Sequence, residues 1–83
     1  MELSKKARFL RFVKILVDET TKAAPLSRKQ ILDMCREDGF TVSEQTFDNY
    51  IEDMRQAGII IKRRYGRNEY GLYNLYWYDD GWI

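Results

Sequence analysis

A chain of 83 residues has room for one domain, and a domain this small buries only about 60% of its unfolded surface, which leaves little material for an enclosed active site. Hydrophobic residues make up 45% and charged residues 33% of a chain with net charge +1, a globular composition and not a disordered one. With no histidine and one cysteine, Cys35, the usual zinc sites and the Ser-His and Cys-His nucleophilic pairs are excluded, and the scattered glycines form no phosphate-binding motif.

Residues 5–19 read as a first helix, with Phe9, Phe12, Val13 and Leu16 at helical spacing and a second series, Leu10, Val13 and Val17, beside them. Pro25 closes the connection that follows. The second helix, 27–38, has clear start signals. Ser27 with Gln30 forms a capping box, and Leu26 with Ile31 forms a hydrophobic staple. Gly39 stands where a left-handed C-cap is wanted. The third helix, 43–57, is capped by Ser43, with Val42 and Phe47 as its staple. Phe47, Tyr50, Ile51, Met54 and Ala57 fall on one arc, and Gly58 stops the helix. The period then changes to two. Ile59 to Arg63 reads as a strand, Arg64 to Asn68 as a turn around Gly66, and Tyr70 to Trp77 as the returning strand. The expected class is α+β, mainly α. It is a single winged helix-turn-helix domain over 1–83, three helices followed by a two-stranded hairpin wing over 59–77.

The near-neutral total hides segregated charge. Residues 1–36 carry nine basic and four acidic side chains, and 37–54 carry six acidic and no basic ones. Residues 55–67 carry five basic and no acidic ones, and 68–83 carry three acidic ones. Two helices joined by a short connection containing glycine, then a basic hairpin, form the arrangement in which the second helix of the pair enters the major groove of DNA. Lys62, Arg63, Arg64 and Arg67 on the hairpin are candidate phosphate contacts, since cations on such a tip release counterions without reading sequence. Arg28 and Lys29 at the start of the second helix, and Arg55, join that set, and each also fits an ordinary surface position.

The segment Leu26 to Leu72 resembles the N-terminal winged helix domain of WYL-domain transcriptional regulators and their DeoR-type relatives. Val42-Ser43, Thr46, Ile51-Glu52, Arg55, Ala57-Gly58 and Gly71-Leu72 carry the resemblance, and so does the opening helix, Phe9 to Leu16. It implies a DNA-binding module that a ligand-sensing domain usually follows. Such a domain has no room here, so the chain is expected to be a piece of a longer regulator or a stand-alone relative. Members commonly carry arginines on the outer face of the third helix, where this chain has Glu44, Gln45, Asp48 and Asn49.

Gln45, Thr46 and Asn49 are the candidate base contacts. Asn and Gln pair bidentately with adenine, and Asp or Glu accepts from cytosine N4. Gln45 and Asn49 also fit a plain exposed helix face. Carboxylates at 44, 48, 52 and 53 within about 8 Å of phosphates oppose binding at physiological salt. The alternative is therefore a winged-helix protein-interaction module that uses the acidic third helix and the aromatic tail, with Tyr76, Trp77 and Trp82 as docking residues. Cys35, among Ile31, Leu32 and Met34, reads as an inert core thiol. The sequence-level expectation is a cytoplasmic DNA-binding module and not an enzyme. It needs no cofactor and no metal, and does not enter a membrane. Its partners would be double-stranded DNA and a second copy or a following regulatory domain.

Overall fold

The computed structural model describes residues 3–68 and 71–79. In chain order they form α1 (Lys5–Glu19), β1 (Leu26–Ser27), α2 (Arg28–Glu37), α3 (Glu44–Gln56), β2 (Ile60–Asn68) and β3 (Gly71–Asp79). The class is α+β and mainly helical. The three strands make one antiparallel sheet in the order β1-β3-β2. Among the described residues no helix is long and apolar enough to cross a membrane.

Each helix starts on a side-chain cap, and the sequence reading, from apolar spacing at α1 and from Ser27 and Ser43 at α2 and α3, places all three within one residue at each end. Ser4 accepts from the Ala7 amide at 3.1 Å and Ser43 from the Thr46 amide at 3.1 Å. At α2 the capping box is complete. The Gln30 amide donates to Ser27 Oγ at 3.2 Å, and the Ser27 amide donates to Gln30 Oε1 at 2.9 Å. Such caps satisfy amides that have no partner inside the helix. Gly39 (φ 95°) and Gly58 (φ 86°) follow α2 and α3 in the left-handed region, where a side chain is strained. They turn the chain so that the Phe40 amide reaches Cys35 O at 3.1 Å and the Ile59 amide reaches Met54 O at 2.9 Å.

The core lies where the inner faces of the helices meet β3. Phe12 and Leu16 of α1, Ile31 and Cys35 of α2, Phe47 and Met54 of α3, and Tyr76 of β3 are buried there. Phe47 is central. Its ring meets Phe12 edge-on at 5.4 Å and Tyr76 at 5.2 Å, geometries that favour aromatic pairs beyond area burial. Burial pushes the Cys35 thiol up to about 11, with the charge of Asp38 adding to the effect. Two helical expectations need correction. Leu10 and Val17, read with Val13 as a second series at helical spacing, are 64% and 37% exposed, because the core reaches only one side of α1. Ala57 is exposed because it is the C-cap of α3.

The sheet departs further from the two-stranded hairpin expected. Leu26 and Ser27 pair with Tyr76 and Leu75, adding a third strand directly before α2. The segment Arg64 to Asn68, read as a turn, continues β2 and pairs in register with Leu75 to Gly71. Asn68 pairs with Gly71, and residues 69 and 70, the second of them the start of the expected returning strand, lie outside the described residues. Gly66 has a strand role. It pairs with Tyr73, whose ring lies so close that a Cβ on Gly66 would meet Tyr73 Cζ at 2.7 Å. Thr20 fixes the sheet to α1. Its hydroxyl donates to Leu16 O and accepts from the Tyr78 amide at 2.8 Å.

Candidate nucleic-acid interface

α3 buries Phe47 and Met54 and turns its opposite arc to solvent. Gln45, Asp48, Asn49, Glu52 and Gln56 are all exposed there. Gln45 and Asn49 lie one turn apart, with no side-chain partner among the described residues. Thr46, the third expected base contact, is half-buried, and its hydroxyl accepts from Ser43 Oγ at 2.9 Å. It is thus part of the helix cap.

The acidic arc is internally compensated. Arg28, on the first turn of α2, donates from Nη2 to Asp48 Oδ1 at 3.0 Å, and its guanidinium lies 5.3 Å from the centre of the Phe47 ring. Cation–π contact and ion pair together hold Arg28 between the two helices. Arg55 binds Glu52 with two hydrogen bonds, Nε to Oε2 at 2.9 Å and Nη2 to Oε1, and Gln56 Nε2 adds a third at 3.4 Å. Those hydrogen bonds, that of Arg55 first, hold the Glu52 carboxyl down at about 2, and the same pair raises Arg55 above its ordinary value. Two of the expected phosphate contacts, Arg28 and Arg55, are therefore engaged by carboxylates of α3. Glu44 and Asp53 flank the arc.

The hairpin is the opposite case. Lys62 pairs with Asp79 at 3.4 Å across the ladder. Arg63, Arg64 and Arg67 are exposed, and none has an acidic partner among the described residues. Strand alternation separates them. Arg63 stands opposite Tyr76, so Arg63, Tyr65 and Arg67 share the sheet face that packs on Phe47 of α3, whereas Lys62 and Arg64 lie on the other face. Tyr65, 73% exposed, sits between the two arginines.

Lys29 is exposed on the first turn of α2 beside a cleft of about 560 Å³ between that turn and β3. Arg28, Lys29, Tyr73 and Asn74 line it, and Arg28 Nε and Asn74 Oδ1 are buried there without a hydrogen-bond partner. Among the described residues no group of three or more acidic or thiol side chains gathers as a metal ion would require.

The docking residues need correction. Tyr76 is 4% exposed and meets Phe47 edge-on, and Trp77 is 9% exposed, so neither is free to bind a partner. Both faces of β3 are covered at this level. Tyr76 faces the helices, and Trp77 lies where Thr20 ties the end of α1 to the strand. Trp82 lies outside the described residues. Sequence reasoning missed Asp48 as the partner of Arg28, and no local signal exists for a pair 20 positions apart. Compared with known proteins, the chain matches no family model, no curated protein and no solved structure.

Proposed function

We propose that this chain is a winged helix-turn-helix module that binds double-stranded DNA as part of a transcriptional regulator, with α3 in the major groove and the β2–β3 hairpin as the wing on the phosphate backbone. The observation that carries the reading is the set of three exposed arginines on the hairpin after α3, Arg63, Arg64 and Arg67, left without acidic partners among the described residues. Cations that satisfy no carboxylate among the described residues are available to phosphates, and their counterion release supplies sequence-independent affinity. Lys29 extends the same basic surface at the cleft beside α2. The resemblance of Leu26 to Leu72 to WYL-domain and DeoR-type regulators supports the transcriptional setting. The reading gives the chain no catalytic step and a cytoplasmic place of work. A second copy or a following regulatory domain would set the spacing of half-sites.

Two observations favour this over a protein-interaction module. Asp48 and Glu52, the middle of the acidic arc, are already paired with Arg28 and Arg55. Tyr76 and Trp77, two of the three aromatic residues expected to dock in such a module, are buried.

The test is a fluorescence-anisotropy titration of the chain against a mixed duplex at about 50 and 200 mM salt. Binding at the lower salt that weakens steeply at the higher is the expected result. No binding at either salt would defeat the proposal and send the search to a protein partner, for which reversing the charge of Asp48 and Glu52 is the first variant to make.

A further inference from the structure

The outer arc of α3 has no free cation with which to read guanine, and its unengaged groups are amides and one carboxylate oxygen. Gln45 and Asn49 have no partner among the described residues. Asp48 has given Oδ1 to Arg28, and among the described residues no hydrogen bond occupies Oδ2 on a side chain that is 62% exposed. A bare carboxylate in the major groove is repelled by phosphates within about a Debye length, roughly 8 Å at physiological salt. Asp48 is not bare. The guanidinium at 3.0 Å offsets its charge, and Phe47 and the first turn of α2 fix that guanidinium in turn. An acceptor held on one oxygen and open on the other matches the one base whose major-groove edge offers a donor with no acceptor beside it, cytosine with its N4 amino group.

Resting on the DNA-binding reading above, we infer that Asp48, oriented by Arg28, is the specificity-determining residue of α3 and selects cytosine in the major groove. Gln45 and Asn49, a turn apart on the same arc, extend the preference to adenine, whose N6 and N7 suit an amide. The operator half-site is accordingly one whose contacted strand presents amino-bearing bases at neighbouring steps.

The experiment selects bound duplexes from a pool with a randomised centre, at about 50 mM salt to keep the phosphate contacts strong, using the full chain and the variants D48A and D48N. D48N retains an acceptor for Arg28 and so guards against a folding artefact, and thermal unfolding of all three proteins checks that they are folded. The wild type is expected to enrich cytosine at one position by about tenfold over thymine, with D48A losing that preference and D48N moving it toward adenine. In the selected duplex, N4-methylcytosine at that position should weaken the wild type and leave D48A unchanged, because the methyl replaces the amino hydrogen that faces the groove. An unchanged cytosine preference in folded D48A, or wild-type binding without base preference, overturns the inference while leaving DNA binding intact. No wild-type binding to any duplex overturns the DNA-binding reading itself.

Discussion

α3 and the β2–β3 hairpin carry charge in opposite ways. On α3 every arginine within reach is committed. Arg28 holds Asp48, and Arg55 holds Glu52 with two hydrogen bonds. On the hairpin, Arg63, Arg64 and Arg67 hold no carboxylate among the described residues. The paired charges of Asp48 and Glu52 are close to neutral a few ångströms away and contribute geometry, Glu44 and Asp53 beside them have no salt bridge among the described residues, and the unpaired cations of the hairpin contribute a field of the opposite sign. Under the proposed function, that difference would divide the labour of DNA recognition between contacts that specify and contacts that position.

The largest expected effect lies beneath both regions. Phe47 touches Phe12, Tyr76 and the guanidinium of Arg28, so it joins α3 to α1, to β3 and to α2. Phe47→Ala should cost about 3–5 kcal/mol in chemical denaturation, a large share of the stability of a domain this size. A loss below about 1 kcal/mol would mean that the two regions do not share one core.

Next is the β2–β3 hairpin itself. Replacing Arg63, Arg64 and Arg67 together by alanine should weaken DNA binding on the order of a hundredfold at physiological salt. It should also flatten the salt slope by about three, near 0.9 for each phosphate that is no longer neutralised. Thermal unfolding should barely move, since exposed side chains without partners contribute little. A full salt slope in this variant would move the phosphate grip to Lys29 and the α2 cleft, and the contrast between helix and hairpin would fail.

A smaller effect is expected at Gly66. Adding a Cβ brings it to 2.7 Å from the Tyr73 ring, so the ring must leave its place across the ladder. Gly66→Ala should cost about 1–3 kcal/mol, the usual range for overpacking. The pair G66A/Y73A should recover part of that loss in a double-mutant cycle. Additive losses would mean that the ring contact does not stiffen the wing.

How much of the molecule is legible in its sequence follows from the range of each interaction. The helices are readable because their signals are local. Ser27 with Gln30, Ser43, Gly39 and Gly58 act within a turn of where they stand. β1 is not readable, because two residues carry no period and Leu26–Ser27 is a strand only through its pairing with β3. Gly66 looks like a turn because the ring that needs its missing side chain belongs to the other strand. Tyr76 and Trp77 look like a docking surface because the cover on each face of β3 comes from distant residues, Phe47 against Tyr76 and, beside Trp77, Thr20 bonding a strand 58 positions away. At the site, helical periodicity identifies the outward residues of α3, but not which of them are engaged. The Glu52–Arg55 pair stands at a spacing of three and could have been read from the helix alone.

That pair gives the smallest effect and the sharpest test of the contrast. The folded Glu52 carboxyl, held near 2, sits below its ordinary value of about 4.3, so the contribution of the pair is complete above the ordinary range and is lost only as pH falls through about 2. In Arg55→Gln the carboxyl should titrate most of the way back toward the ordinary range, the Gln56 amide retaining part of the depression, as followed by the side-chain carboxyl carbon shift in acid. The charge-neutral double variant E52Q/R55Q removes the pair without changing net charge. Its salt slope for DNA should equal that of the wild type, because a closed ion pair releases no counterions when DNA arrives. A slope reduced by about one would show that Arg55 leaves Glu52 for a phosphate in the complex, and α3 would then position as well as specify.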